Sequence, residues 1–344
     1  MSAASTTGST GYQSSIAETT IAVPPNVSTM SNRMQSRFLD ALSGSERGRI
    51  FSLAEGVADA LDRWASQYPL IRRVRVQPLS LSVVAAAPFD SLEALIATSQ
   101  VSLWVFTLDD LFDEEGLSSG LLVRRARRFR QIARGALRGA EEDQLGVALA
   151  DVRDALMSFP LFTVLANEWS NALIGTIDGM VREHCWRRQF RRRGVEALPS
   201  YEDYVANGRY SIGGPPHIWS AVITTNDPST TEHLNLLRPM EELASRCVRL
   251  ANDLRSYAKE VQEEKVNSLL LLSCRSEDQE LTSSARYARA ETAIREEIAR
   301  GLRNLDELYA RACTRTRRPE TAIARIAHFV CEFYTQYDYH TFPA

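Results

Sequence analysis

From about residue 35 onward, apolar positions along this chain return at three- and four-residue spacings. Leu39, Leu42, Ile50, Leu53, Val57 and Leu61 set the pattern, which is the stripe of an amphipathic helix. Later segments are dominated by Ala, Leu, Arg and Glu, all good helix formers. The stretch RVRVQPLSLSVV (73–84) is the one that tempts a strand assignment, and Pro78 interrupts it by removing a ladder donor. Ser91 is placed to cap a helix running SLEALIATSQVSLWVFTLDDLF, with Leu92, Leu95, Val101, Trp104, Val105 and Leu108 apolar. YEDYVANGRYSIGGPPHIWS (201–220) reads as two helical halves parted at Gly213–Gly214–Pro215–Pro216, where the backbone loses both stiffness and donors. Residues 238–272 read as one long helix ending in an apolar segment. The pattern predicts a single all-α domain of ten or so helices over residues 36–344, behind a disordered tail at 1–35.

The tail changes little in this picture. Its first 30 residues are rich in Ser and Thr and hold no basic residue, so they lack the charged and apolar regions of a signal peptide. No apolar run approaches the ~20 residues that cross a bilayer, and a cytoplasmic protein with no membrane partner is expected. Five cysteines, Cys185, Cys247, Cys274, Cys313 and Cys331, are scattered without a C-x-x-C pair, which speaks for a reducing compartment and against a disulfide frame or zinc site. Net charge is −3, and of the 40 basic residues all but Lys259 and Lys265 are arginines. RRARRFRQIAR (124–134) is spaced like the solvated face of an amphipathic helix, so nucleic acid is not an expected partner. WRRQFRRRG (186–194) reads first as a loop-adjacent solvated run, with attraction of an anionic substrate as the alternative.

Two patterns point to chemistry. LDDLFDEEG (108–116) sets five carboxylates directly after an apolar, aromatic run. Asp109 and Asp113 are four apart, on one face, with Asp110 beside them, and their repulsion is relieved by a divalent cation. Glu114 is a lesser candidate and Glu115 is expected to face water. Farther along, Asn252, Ser256 and Glu260 form an i, i+4, i+8 ladder of carbonyl, hydroxyl and carboxylate oxygens, again ligand types for a hard cation. Taken alone, either pattern also fits a solvated polar helix face.

Together, LDDLFDE and NDLRSYAKE resemble the paired metal-binding motifs of class I terpene synthases, D-D-x-x-D and N-D-x-x-S-x-x-x-E, in the family's order and at its wide separation. The resemblance implies an α-helical bundle around a central apolar cavity, and Mg²⁺ as cofactor, three ions with bound diphosphate. It implies Asp109, Asp110, Asp113, Asn252, Ser256 and Glu260 as metal ligands. In that family an arginine senses diphosphate just before a helix break and a glycine four residues later ends the half-helix; Arg209 and Gly213 match, with Ile212 at a linker position that is more often polar. The family's C-terminal Arg-Tyr pair is missing: the chain ends EFYTQYDYHTFPA, so Tyr339 or His340 replaces that contact or nothing does.

The implied reaction is ionisation of a prenyl diphosphate with help from Arg209 and Lys259, then cyclisation of the allylic cation in an apolar pocket. Trp104, Phe106, Phe89, Trp169 and Trp219 are candidates for its aromatic lining, where ring faces stabilise passing positive charge, although each equally suits ordinary core. The arginine inside NDLRSYAKE resembles bacterial diterpene synthases, so a C20 substrate is expected, either geranylgeranyl diphosphate or a labdane-type diphosphate. A farnesyl-using sesquiterpene synthase is the first alternative and a non-enzymatic helical scaffold the second. A chain-elongating prenyl diphosphate synthase fits less well, since the second site is an Asn/Ser/Glu ladder rather than a second aspartate cluster. A homodimer is left open.

Overall fold

A computed structural model describes residues 36–113, 118–139, 143–274 and 280–340. The tail at 1–35, Glu114, Glu115 and residues 341–344 lie outside the described residues. Within them the chain is all-α, with thirteen α-helices and three short 3₁₀ turns and no strand. The helices are α1 Arg37–Asp40, α2 Gly44–Ala65, α3 Val76–Ala86, α4 Leu92–Asp113, α5 Ser119–Ala133, α6 Gln144–Met157 and α7 Phe162–Arg193. They continue as α8 Tyr201–Ser211, α9 Gly214–Thr224, α10 Leu234–Gln262, α11 Ser268–Ser273, α12 Ser283–Arg311 and α13 Arg318–Gln336.

The stretch at 73–84 is a 3₁₀ turn running into α3. Pro78 is the third residue of that helix, where its missing N–H is one of the first-turn donors that have no intrahelical partner. Ser91 caps α4 as expected, its Oγ accepting from Ala94 N at 3.3 Å. The halves α8 and α9 part at Gly213, whose φ of +78° is left-handed. A side chain there would also drive a Cβ to 2.4 Å from Val105 Cγ1 of α4. Glycine is required twice over, for its backbone angle and for the close approach.

One element differs from the sequence expectation. Residues 238–272 are not one helix: α10 stops at Gln262 and α11 starts at Ser268. Glu264 takes a left-handed φ of 54°, and Lys265 N bonds back to Glu260 O at 2.9 Å to close the helix end. Asn267 then caps α11, its Oδ1 accepting from Leu269 N at 2.9 Å. The break lets Leu269, Leu271 and Leu272 join a small core with Tyr204, Val205 and Leu250.

Helix α4, buried along most of its length, packs against α2, α3, α6, α7 and α9. Helix α10 packs against α8, α9, α12 and α13. Both therefore run through the bundle's interior, which is what allows their polar faces to meet. Across the end of the bundle, Asp227 ties the α9–α10 connection to the α12–α13 loop. Its Oδ2 accepts from Thr316 N and Oγ1 at 2.5 and 2.6 Å, and its Oδ1 from Ser229 N and Oγ at 2.8 and 2.7 Å. Burial works against the charge, but these bonds outweigh it and hold the carboxyl at about 2.

Asp227→Asn is expected to lose about 1–3 kcal/mol in urea denaturation at neutral pH, because an amide nitrogen then faces backbone donors. The depressed carboxyl contributes stability that is complete above its unfolded value of ~3.9 and is lost as pH falls through about 2. That acid-sensitive portion should be missing from the variant's stability–pH curve.

Candidate active site

A single cleft gathers side chains from α4, α7, α8, α10, α13 and the turn after α10. From α4 come Val105, Asp109 and Phe112, at i, i+4 and i+7, with Phe106 and Asp113 beside them. From α10 come Asn252, Ser256 and Glu260, the expected ladder, extended one turn back by Arg249. Thus Asp109, Asp113, Asn252, Ser256, Glu260 and Lys259 are brought to one cavity by elements more than a hundred residues apart.

The electrostatics show what crowding does. Burial pushes the Asp109 carboxyl up to about 7, helped by the negative charge of Asp113 and opposed by Lys265. Glu260 is likewise pushed to about 7 by burial and by Asp253, although Asn267 Nδ2 donates to its Oε2 at 2.7 Å. Carboxylates held this way are short of positive charge, and hard oxygen donors of this kind fit Mg²⁺. Among the described residues no three His, Cys, Asp or Glu side chains converge on one point. The donors form two partial sets facing each other, which suits an ion that takes one or two protein carboxylates and completes its shell with phosphoryl oxygens and water.

Beneath the ladder lies a network that carries α10's other charges. Arg249, 7% exposed, stands 3.1 Å from Glu183 Oε1 and 2.9 Å from Asp253 Oδ1, and its Nη2 donates to the Tyr204 hydroxyl. Tyr204 in turn donates to Asp253 Oδ1 at 3.1 Å, and Ser211 Oγ to Glu183 Oε1 at 2.6 Å. A Cβ on Gly208 would come within 2.9 Å of the Arg249 side chain, so this small residue makes room for the guanidinium.

Asp110 is placed differently from its neighbours. It does not line the cleft; its two oxygens are gripped by Arg75 at 2.6 and 2.8 Å. Arg75, 1% exposed, also donates to Phe106 O at 3.0 Å and lies 2.7 Å from His340 Nδ1, which must accept. Asp110 thus anchors the acidic end of α4, and its motif neighbours do the facing.

Arg209 is not brought into the cleft. Its guanidinium lies 4.1 Å over the Tyr210 ring, donates to the Tyr210 hydroxyl at 2.6 Å and sits 3.8 Å from Glu242. Ser211 and Ile212, which follow it, line the cleft, while Arg209 itself is held off the cleft by these contacts with Tyr210 and Glu242. The break at Gly213 is where it was expected; the arginines that line the cleft are Arg187 and Arg249 rather than Arg209.

Of the aromatic candidates, Phe106 lines the cleft. Trp104, two residues away on α4, is fully buried on the far side, donating to Leu145 O at 2.8 Å and edge-on to Phe129. Trp169 is core, donating to Ser220 Oγ at 3.0 Å, and Trp219 is buried with Glu241 as hydrogen-bond partner. Phe89 lies under Arg318, before the N-terminus of α4, some 25 Å of helix from Asp109 at 1.5 Å per residue. Tyr339 stacks on Phe333 and bonds Ser82 Oγ at 2.7 Å, while its neighbours Asp338 and His340 reach the cleft.

Sequence reading missed Arg187, Arg249, Lys265, Glu183 and Tyr334, all lining residues. Arg249 had a signal, being three residues before Asn252 and so on the same face. Arg187 sat in a basic run read as solvated, and its side chain is 14% exposed. Lys265 Nζ is 2.6 Å from Asp113 Oδ2, a contact across 152 residues that no local pattern announces.

Residues 100–300 match the family model described as terpene synthase family 2, C-terminal metal binding. The chain is 26% identical over 237 residues, 65% of its length and 70% of the relative's, to a (+)-T-muurolol synthase ((2E,6E)-farnesyl diphosphate cyclizing) of Roseiflexus castenholzii. Its fold is similar to that of the SVS_A2 protein from ancestral sequence reconstruction, with a TM-score of 0.66 at 17% identity, covering 84% of this chain and 85% of that one. It is also similar to 2-methylisoborneol synthase from Streptomyces coelicolor A3(2), solved with Mg²⁺ and geranyl-S-thiolodiphosphate, with a TM-score of 0.64 at 15% identity, covering 82% and 91%.

Arg75→Met is expected to cost about 2–3 kcal/mol, because it removes the bidentate partner of the half-buried Asp110 carboxylate and leaves it only Arg72, 3.4 Å away and largely exposed. Urea denaturation measures the loss. Arg75→Lys should recover only part of it, since an ammonium does not span both oxygens.

Proposed function

The chain belongs to terpene synthase family 2 and is a class I terpene synthase, and we propose that it ionises farnesyl diphosphate and closes the resulting cation to a C15 product. The observation that carries this reading is the meeting of two hard-oxygen donor sets, Asp109 with Asp113 and Asn252, Ser256 with Glu260, in one cleft beside the cations Arg187, Lys259 and Lys265. Asp109, Asp113, Asn252, Ser256 and Glu260 would hold the Mg²⁺ ions, three in number on the resemblance.

Bound Mg²⁺ supplies Lewis-acid neutralisation of the diphosphate as the carbon–oxygen bond ionises. Arg187 and Lys259 take phosphoryl oxygens from the protein side, holding the leaving group where charge develops. Arg249, engaged by Glu183 and Asp253, keeps the ladder residues in register. The hydrocarbon faces Val105, Phe106, Phe112, Met180, Ile212 and Tyr334, which exclude water from the cation. Ring faces among them favour passing positive charge by ~1–2 kcal/mol each when desolvated.

Two observations favour C15 over the C20 substrate expected from the sequence. Arg255, the residue that prompted the C20 expectation, is exposed on another face of α10, lining a separate groove with Arg295. It does not touch the hydrocarbon cavity. The farnesyl-cyclising relative points the same way.

Purified protein with Mg²⁺ is to be incubated separately with geranyl, farnesyl, geranylgeranyl and copalyl diphosphates and the extracts analysed by gas chromatography–mass spectrometry. A cyclic C15 hydrocarbon or alcohol from farnesyl diphosphate is expected. Product from a C20 substrate alone overturns the chain length; none from any substrate overturns the cyclase reading. Asp113→Ala combined with Glu260→Ala should lower kcat/KM by at least about 10²–10³-fold.

A further inference from the structure

The chain contains 40 basic residues of which Lys259 and Lys265 are the lysines, and both line the cleft. Lys265 belongs to neither metal-binding motif. It sits in the turn after α10 with Nζ 2.6 Å from Asp113 Oδ2 and 2.9 Å from Glu263 Oε2. Arg187 approaches the other Asp113 oxygen at 3.4 Å and donates to Glu263 O at 3.4 Å. The acidic end of α4 is thereby strapped to the α10–α11 turn through a cation placed against a proposed metal ligand.

An ammonium and a guanidinium behave differently in that place. Guanidinium is a planar fork that locks a carboxylate through two parallel bonds, as Arg75 does to Asp110. Ammonium is a compact, strongly hydrated point charge whose three donors rotate, so it can leave one acceptor for another. Lys265 places such a rotatable point charge directly against Asp113. Lys259 differs from Lys265, being half exposed and 3.8 Å from its nearest carboxylate.

We infer that Lys265 is an internal counter-cation of Asp113, displaced when Asp113 takes a metal ion and then received by the phosphoryl oxygens of the diphosphate. The inference rests on the reading of Asp113 as a ligand in a diphosphate site. Its consequence is coupling. Mg²⁺ alone must compete with the ammonium, whereas Mg²⁺ arriving with diphosphate gives the displaced ammonium a new partner. Each ligand then strengthens the other by the same factor, and the acidic end of α4 stays neutralised until both are present.

The test is isothermal titration calorimetry on the full chain, first with MgCl₂ alone and then with inorganic diphosphate at saturating Mg²⁺, for the wild type, Lys265→Met and Lys265→Arg. Lys265→Met should bind Mg²⁺ alone about tenfold more tightly and diphosphate about tenfold more weakly, the size of one charge-assisted contact. Lys265→Arg, which keeps the charge and the strap, should bind Mg²⁺ alone several-fold more weakly than the wild type, because the fork holds Asp113. If Lys265→Met leaves both affinities within twofold of the wild type, or weakens both, the inference is overturned while product formation by the wild type leaves the proposed function standing. A wild type that binds no Mg²⁺ even in the presence of diphosphate overturns both.

Discussion

Helix α10 carries charge into the middle of an apolar bundle, and the rest of the site is arranged to satisfy it. Arg249 and Asp253 are 7% and 0% exposed, and isolated charges at such depth are costly enough that they survive only when paired and hydrogen-bonded. Glu183 from α7, Tyr204 from α8 and Ser211 at the helix break supply those partners. By converging on Arg249 they also fix how α7, α8 and α10 sit together. The donor ladder of Asn252, Ser256 and Glu260 is then held one turn at a time above a rigid polar floor.

The opposite wall obeys the same logic with fewer partners. The last turns of α4 end in carboxylates that repel one another. One of them, Asp110, is paired with the buried fork of Arg75, which also bonds the α4 backbone and His340. That leaves Asp109 and Asp113 free to turn inward, where burial and mutual repulsion raise the Asp109 carboxyl to about 7. The three aspartates are thus parted by the fold: Asp110 is held by Arg75, while Asp109 and Asp113 line the cleft. The helix break at Gly213 reaches α4 one turn before Asp109, and only a residue without a side chain fits against Val105 there.

Much of the fold was legible because helical periodicity is local. The stripe of α2, the cap at Ser91 and the break at Gly213–Gly214 all follow from residues within a turn or two. The end of α10 was not, since Glu264 has no intrinsic preference for a left-handed φ of 54°. It is the burial of the leucines of α11 beside Tyr204 and Leu250 that turns the chain there. In the site, spacing identified which oxygens share a helical face, but not which way the face looks. Trp104 and Phe106 lie two residues apart on one apolar helix; the first packs on Phe129 and the second meets the cleft. Arg209 and Ser211 are separated in the same way on α8.

By itself the sequence determined the helical class, the two hard-oxygen motifs and the point where α8 and α9 part, because each depends on residues close enough along the chain to share a turn. Tertiary structure alone decided which cation answers which carboxylate. Arg75 meets Asp110 across 35 residues and Lys265 meets Asp113 across 152, and pairings at such separations are set by how helices pack rather than by any local preference. It also decided that Asp110 is held from behind while Asp109 and Asp113 face inward, since that depends on the angle at which α4 is clamped between its neighbours.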